Sequence, residues 1–250
     1  MFSFLNNMPP VTKNLLIINI LFYIATLVLD SKGIHLIPML GAHYVNSTLF
    51  EPYQVITHFF MHSQSIAHIF FNMFALVMFG SLLEKLWGPK RFFIFYIASA
   101  LGAFALYNII GVYEIMQMKS QIIASGIDIT LINEKLHQVD TLQQMLPYIE
   151  NELVLDYVVK SYIPMVGASG AVFGIMAGFA YLFPNTELFL LFIPFPVKAK
   201  YLVGGYFLIE LYMSFQNSAG DSVAHLAHVG GAIVGFILVF IWNRNKKTFY

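Results

Sequence analysis

The sequence contains no cysteine and few charged residues. The absence of cysteine from all 250 residues excludes disulfides, thiolate catalysis and metal sites built on thiolates. Charged residues make up only 10% of the chain, whereas soluble domains carry about 25%. Thirteen basic and 13 acidic residues cancel, so nothing in the net charge points to nucleic acid as a partner. With 58% hydrophobic residues, the composition indicates a protein of the lipid bilayer.

Long hydrophobic runs are also scarce, because several apolar segments fall short of the roughly 20 residues that a full membrane span needs. Six segments alternate with more polar connections, and no soluble domain or repeat interrupts them. They cover residues 14–29, 67–83, 92–112, 168–183, 201–216 and 224–242. We therefore predict an all-α, polytopic protein with six transmembrane helices, forming a single membrane domain over residues 1–250.

Basic residues are unequally divided between the two sides that alternating spans define. Nine of the 13 lie on the side of the termini, and four lie on the side of the long connections. By the positive-inside rule, both termini are predicted to be cytoplasmic and the connections 30–66 and 113–167 to face outward. Leucines at near-helical spacing within 113–167 predict amphipathic helices there, which could shape access or bind an unknown partner. Compact size and short termini favour a bacterial plasma membrane.

Four polar side chains are predicted to share one depth in the membrane. Ser169 and His228 each lie 15 residues from the cytoplasmic end of their segments, which is about 22 Å of helix. In the second segment, His68 and Asn72 bracket the same height. Within a hydrocarbon core of about 30 Å, this level is somewhat below the outer boundary.

A serine and a histidine at one depth indicate nucleophilic catalysis. Ser169 is the candidate nucleophile, and His228 is the general base that takes its proton and returns it to the leaving amine. Because Ser169 begins a helix, backbone N–H groups there can stabilise an oxyanion, and His68 and Asn72 can add side-chain donors. No acid obviously completes a triad. Glu210, inside the fifth segment, is expected to bond a neighbour, to be protonated, or to hold or gate its helix.

Glycines recur at every fourth residue in the two segments that carry the serine and the histidine. Such stripes allow helix backbones to approach closely in a membrane. This approach would bring Ser169 against His228. The stripes consist of Gly170, Gly174 and Gly178 in the fourth segment, and Gly231 and Gly235 in the sixth.

Three motifs together resemble the rhomboid family of intramembrane serine proteases. They are Gly167-Ala168-Ser169-Gly170, His68-Ile69-Phe70-Phe71-Asn72 and His228-Val229-Gly230-Gly231. The resemblance implies a catalytic dyad of Ser169 and His228, with His68 and Asn72 at the oxyanion. It also implies that transmembrane substrates are cut near their helix ends, on the outer side. Phe173 stands where several bacterial members carry a tyrosine that stacks on the histidine.

Two other hypotheses belong to different classes. A catalytically silent rhomboid-like protein would bind transmembrane helices for trafficking or quality control. A small transporter or metal carrier would use His58, His62, His68 and His225. His58 and His62 have the spacing of zinc helices, but the glutamate of His-Glu-x-x-His is missing, so neither metal nor cofactor is expected. His225 could be a rim residue or an alternative base.

Overall fold

The computed structural model describes residues 6–139, 141–189, 195–216 and 224–244, which are mainly α-helical. The helices, in chain order, are α1 (Pro10–Asp30), α2 (Leu36–Leu40), α3 (Gln54–Thr57), α4 (Ile66–Trp87), α5 (Pro89–Ala124), α6 (Ile129–Gln138), α7 (Glu152–Tyr162), α8 (Ser169–Leu182), α9 (Ala199–Gln216) and α10 (His225–Arg244). Within α4, residues Leu76–Gly80 form a π-helical turn. Short 3-10 turns cover His58–Phe60, Leu142–Gln144 and Leu146–Tyr148, and an antiparallel pair joins β1 (Glu187–Leu188) to β2 (Val197–Lys198).

Among the described residues, four helices are long and apolar enough to cross a membrane, namely α1, α4, α5 and α10. The chain is therefore a mainly helical, multi-pass membrane protein. Helix α8 is apolar but has 14 residues, or about 21 Å of helix. Helix α9 has 18 residues and includes Lys200 and Glu210. The prediction of six spans depends on counting these two helices as well.

Local chemistry fixes where two of the long helices begin. A proline stands at the start of α1, and the N–H groups of Val11 and Thr12 donate to the carboxylate of Glu84 on α4 at 2.9 and 2.7 Å. An acidic side chain here satisfies N–H groups that have no partner within the helix. Gly88, with a φ of +79°, ends α4 and lets Pro89 start α5 in a new direction.

The predicted third segment, 92–112, is too short. Helix α5 has 36 residues and continues to Ala124. Its second half crosses a polar stretch, but Glu114 pairs with Lys160 of α7, and Ile115 and Ile122 are fully buried. Packing against neighbouring elements therefore extends the helix beyond the apolar run, and the connection to α8 begins only at Ser125.

The two largest hydrophobic cores of the described residues follow one another along α5. The larger joins the first half of α5 to α1, α4, α8 and α10, with α8 in contact with α4, α5 and α10. The smaller joins the second half of α5 to α6, α7 and the connection after α2, and it is made of Tyr44, Ile115, Ile122, Leu136, Met145, Val154, Tyr157 and Val158. Both Ser169 and His228 lie on helices of the larger core.

Hydrogen bonds of buried polar side chains stabilise the connection between α1 and α4. The Gln54 amide accepts from the N–H of His43 at 3.3 Å and donates to the carbonyl groups of Met39 and Leu49. The backbone carbonyl oxygen of Gln54 lies 2.7 Å from Nδ1 of His58. The carbonyl of His58 in turn accepts from the N–H of Gly167 at 3.0 Å. This connection therefore supports the turn that precedes α8.

The burial of two histidines in this connection predicts that the stability of the protein depends on pH. Burial lowers the pKa of His58 to about 4, and burial together with the nearby His68 ring lowers the pKa of His62 to about 4. Between pH 6.5 and 4 the unfolded chain therefore binds protons that the folded chain does not. We expect the free energy of unfolding to fall as pH decreases through this window, by up to about 1.4 kcal/mol per pH unit for each histidine.

Thermal unfolding in detergent between pH 7.5 and pH 4.5 measures this effect. The His62→Leu variant should lose part of the pH dependence, because both ring nitrogens of His62 are buried and leucine cannot titrate. His137→Gln, at an exposed position on α6, should retain the wild-type dependence. Identical pH curves for wild type and His62→Leu would contradict the assignment.

Candidate active site

The turn before α8 places Ser169 at the first residue of a helix. Gly167 has a φ of +121°, a backbone conformation that residues other than glycine rarely adopt. A Cβ atom there would lie 3.1 Å from Nε2 of His68 and 3.4 Å from Oγ of Ser169. The glycine thus makes room between two polar atoms. The first N–H groups of a helix lack acceptors within it, so those of α8 are available to an acceptor beside Ser169.

Ser169 and His228 are in direct contact. Oγ of Ser169 lies 2.8 Å from Nε2 of His228. On the other side of the ring, Nδ1 of His228 lies 2.7 Å from Oε2 of Glu210 on α9. Because an ionised carboxylate only accepts hydrogen bonds, the ring proton belongs on Nδ1. Nε2 then has a lone pair with which to accept the hydroxyl proton of Ser169.

A phenyl ring holds the imidazole of His228 in place. Phe173, one turn after Ser169 on α8, stacks on His228 with ring centres 4.3 Å apart and planes 10° from parallel. Phe173 also contacts Tyr206 of α9, with ring centres 4.9 Å apart. This stacking restricts ring rotation without requiring a hydroxyl.

His68 and Asn72 lie on the first turns of α4. Nδ1 of His68 accepts from the N–H of Ser63 at 3.4 Å and lies 2.9 Å from Oγ of Ser63. The ring proton is therefore on Nε2, the nitrogen that lies close to Gly167. The side-chain amide of Asn72 donates one hydrogen to the carbonyl of His68 at 2.9 Å. His68 is thus brought beside the serine as a donor, whereas Asn72 uses one of its two N–H groups within its own helix.

The glycine stripes allow α8 and α10 to approach closely. A Cβ atom on Gly231 would lie 1.9 Å from the carbonyl oxygen of Gly170, and one on Gly235 would lie 2.5 Å from Cα of Gly174. Gly170, Gly174 and Gly178 face α5, where a Cβ atom would lie 2.3 Å from Cβ of Ala103, 2.3 Å from Oγ of Ser99 and 3.0 Å from the ring of Phe95, respectively. Gly231 and Gly235 therefore set the distance between the helices that carry Ser169 and His228, and the glycines of α8 let α5 pack closely against it.

Glu210 is the residue of the site that sequence reasoning did not assign. It is 4% exposed, and it accepts from Nδ1 of His225 at 2.6 Å as well as from His228. The one signal in the sequence was an acid within an apolar segment, but the sequence gives no indication of which side of α9 faces α10. Ser63 orients His68, but nothing in the sequence indicated this role, because serine is common in loops.

The four histidines of the metal-carrier hypothesis are not brought together. In the part of the chain that the structure describes, a single cluster of three or more histidine and acidic side chains has spacing suited to a metal ion, and it consists of Glu210, His225 and His228. His62 lies against His68, with ring centres 5.1 Å apart, and His225 belongs to the other group. A carrier site built on His58, His62, His68 and His225 is therefore not supported.

Comparison with known proteins finds a matching domain family and similar proteins whose names contain the name of that family. The sequence matches the Rhomboid domain family over residues 49–147 and 149–245. It is 30% identical over 193 residues to RHOMBOID-like protein 12, mitochondrial, of Arabidopsis thaliana, covering 77% of this chain and 46% of that protein. It is 26% identical over 215 residues to Rhomboid protein 1, mitochondrial, of Saccharomyces cerevisiae, covering 84% and 46% respectively. The chain thus spans about half the length of these relatives.

The relatives correct one prediction. A bacterial plasma membrane, with cytoplasmic termini and a site that opens outward, is contradicted, because these two proteins and a third relative, an uncharacterized rhomboid protein of Schizosaccharomyces pombe, are all named mitochondrial. The description as a bacterial, six-span form is likewise not supported. The physical reason is that basic residues mark one side of a membrane but do not say which membrane it is. Compact size does not distinguish compartments either.

Proposed function

This chain belongs to the rhomboid family, and from that premise we propose that it is an intramembrane serine endopeptidase acting on transmembrane-helix substrates. The contact of 2.8 Å between Oγ of Ser169 and Nε2 of His228 carries the proposal. A serine that only packs a membrane helix bonds the carbonyl one turn earlier. This hydroxyl instead meets an imidazole whose other nitrogen is held by a carboxylate.

The proposed reaction has two stages. Oγ of Ser169 attacks the scissile carbonyl carbon while its proton passes to Nε2 of His228. The tetrahedral intermediate then collapses, the C–N bond breaks, and Nε2 returns the proton to the leaving amine. A water molecule attacks the acyl-enzyme in the second stage, giving its proton to Nε2. The ester bond to Oγ breaks, and Ser169 recovers its proton as the new carboxyl end leaves.

The oxyanion of each intermediate requires donors placed in advance. Backbone N–H groups at the start of α8 are assigned this role, together with Nε2–H of His68 and the second N–H of Asn72. Donors of this kind typically contribute about 10²- to 10³-fold to the rate. The hydrogen bonds from Ser63 to His68 support the assignment, since they leave the ring proton on Nε2, the nitrogen close to Gly167.

The length of α8 determines where such a reaction takes place. If α8 and α9 complete a set of six spans, a helix of 14 residues covers about 21 Å of a hydrocarbon core of about 30 Å. Ser169, at its first residue, then lies below the nearer membrane surface. A substrate helix must unwind locally to present a carbonyl, because helical carbonyl groups are already hydrogen-bonded. The names of the relatives make a mitochondrial membrane the first compartment to examine.

Cleavage of a single-span substrate by the purified chain, reconstituted in lipid vesicles, tests the proposal. We expect one cut near the end of the substrate segment on the membrane side where α8 begins, and we expect pre-treatment with a fluorophosphonate to prevent it. A soluble peptide with the sequence around the cut should react more slowly, since it does not concentrate in the bilayer. A folded protein that binds the substrate segment without cutting it would favour the silent rhomboid-like alternative.

A further inference from the structure

The carboxylate of Glu210 is buried, although most apolar side chains of the same helix are exposed. Of the described residues of α9, only Ala199 and Glu210 are buried, whereas Leu208, Ile209 and Tyr212 are 58 to 63% exposed. An ionisable group inside a membrane helix is costly and usually has a specific partner. The partners of Glu210 are two imidazoles on α10.

Both imidazoles meet the same oxygen atom. Nδ1 of His225 lies 2.6 Å and Nδ1 of His228 lies 2.7 Å from Oε2 of Glu210. The two rings are 6.3 Å apart and perpendicular, so they approach the carboxylate from different directions. Two donors fix the carboxylate more firmly than one, and the fixed carboxylate keeps the proton of His228 on Nδ1.

We propose that Glu210 is a positioning residue for His228, held in place by His225, so that the site works as a serine–histidine–glutamate array and not as a dyad. This inference rests on the proposed function. When Ser169 gives its proton to Nε2, His228 becomes positively charged between Ser169 and Glu210. In a site of low dielectric, a carboxylate in contact with Nδ1 stabilises that charge and prevents the ring from turning.

Within the described part of the chain, the carboxylate of Glu210 is the anion that faces His228. Among the residues that the structure describes, the titratable groups nearby are Tyr206 on α9 and His225 and His228 on α10, and His68 on α4 lies beyond His228. From α8, His228 meets the hydroxyl of Ser169 and the uncharged ring of Phe173. A neutral amide at position 210 would therefore remove the negative charge from the array while keeping its shape.

The Glu210→Gln variant tests the role through kinetics. We expect kcat for a single-span substrate to fall by between about 10² and 10⁴-fold, with KM and the unfolding temperature close to wild type. Glu210→Asp keeps the charge on a shorter side chain and should recover part of kcat. His225→Gln should lose less than Glu210→Gln, since it removes one of two donors to the carboxylate. Gly205→Ala, on α9 with nothing within 4 Å of the added methyl, is the matched control and should behave as wild type.

Three outcomes would overturn the proposal. One is wild-type kcat in Glu210→Gln. Another is a fall in activity matched by a rise in KM and a lower unfolding temperature, which would mean that Glu210 only attaches α9. The third is activity that requires zinc and disappears with a chelator, because the same three side chains could surround a metal ion. Wild-type protein that neither cuts substrate nor reacts with a fluorophosphonate would instead count against the proposed function.

Discussion

Replacing Ser169 with alanine is expected to abolish substrate cleavage and covalent labelling by a fluorophosphonate, with a rate loss of at least about 10³-fold. The reason is that phosphonylation and acylation both use the oxygen that lies 2.8 Å from the imidazole of His228. The unfolding temperature should change little, since alanine removes one oxygen atom from a half-buried position. His228→Ala should lose labelling as well, because the hydroxyl then has no base to take its proton.

Ser63 provides the control for this experiment. Its hydroxyl also bonds a histidine, with Oγ 2.9 Å from Nδ1 of His68, so it tests whether any serine beside an imidazole would react. Labelling should disappear in Ser169→Ala. It should persist in Ser63→Ala at a reduced rate, because His68 keeps only the hydrogen bond from the backbone N–H of residue 63. Labelling that survives in Ser169→Ala would remove Ser169 from the mechanism, and labelling that disappears only in Ser63→Ala would transfer the role.

The second large effect is expected at Gly231. In Gly231→Ala, the added methyl would lie 1.9 Å from the carbonyl oxygen of Gly170, a distance that no side-chain rotation relieves because both groups belong to helix backbones. Helices α8 and α10 must therefore separate. Overpacking of this kind costs about 1 to 3 kcal/mol, and a displacement of about 1 Å between reacting groups can cost about 10²-fold in rate. We expect both a lower unfolding temperature and a loss of labelling at Ser169.

Gly204 is the matched position for this comparison. It is a helical glycine in α9, with nothing within 4 Å of an added Cβ atom. Gly204→Ala should keep the wild-type unfolding temperature and the wild-type labelling rate. If Gly231→Ala behaves in the same way as Gly204→Ala, then the glycine stripe does not control the distance between Ser169 and His228.

The relation between Ser169 and His228 could be predicted because helices are regular. Each residue adds 1.5 Å of height, so counting residues from the ends of two apolar segments is enough to place both side chains at one depth. Small residues at intervals of four then indicate which helix surfaces approach each other. Depth and contact surface together leave few arrangements, and the structure has these two side chains in contact.

Glu210 and the end of α5 could not be placed by the same means. Helix α9 is apolar on most of its surface, so its sequence does not specify how it is rotated about its axis. The contact of Glu210 with two histidines depends on that rotation. Similarly, α5 continues past its apolar run because Ile115 and Ile122 pack in one core with residues of α6 and α7, the helices that follow it in the chain. In both cases the deciding interactions are tertiary.

Because α5 is longer than the hydrocarbon core of a membrane, the two hydrophobic cores that it joins have different surroundings, lipid and water. Its 36 residues extend for about 54 Å, beyond a hydrocarbon core of about 30 Å. If the apolar first half of α5 spans the bilayer, the core around Ile115 and Ile122 lies outside the hydrocarbon, where the hydrophobic effect stabilises it. The glycine contacts between α8 and α10 belong to the core beside the apolar first half of α5, and in a bilayer close packing would replace the hydrophobic effect there. Urea should act on the core beside the second half of α5, and a change of detergent on the core beside its first half. The two halves of one helix therefore respond to different solution conditions.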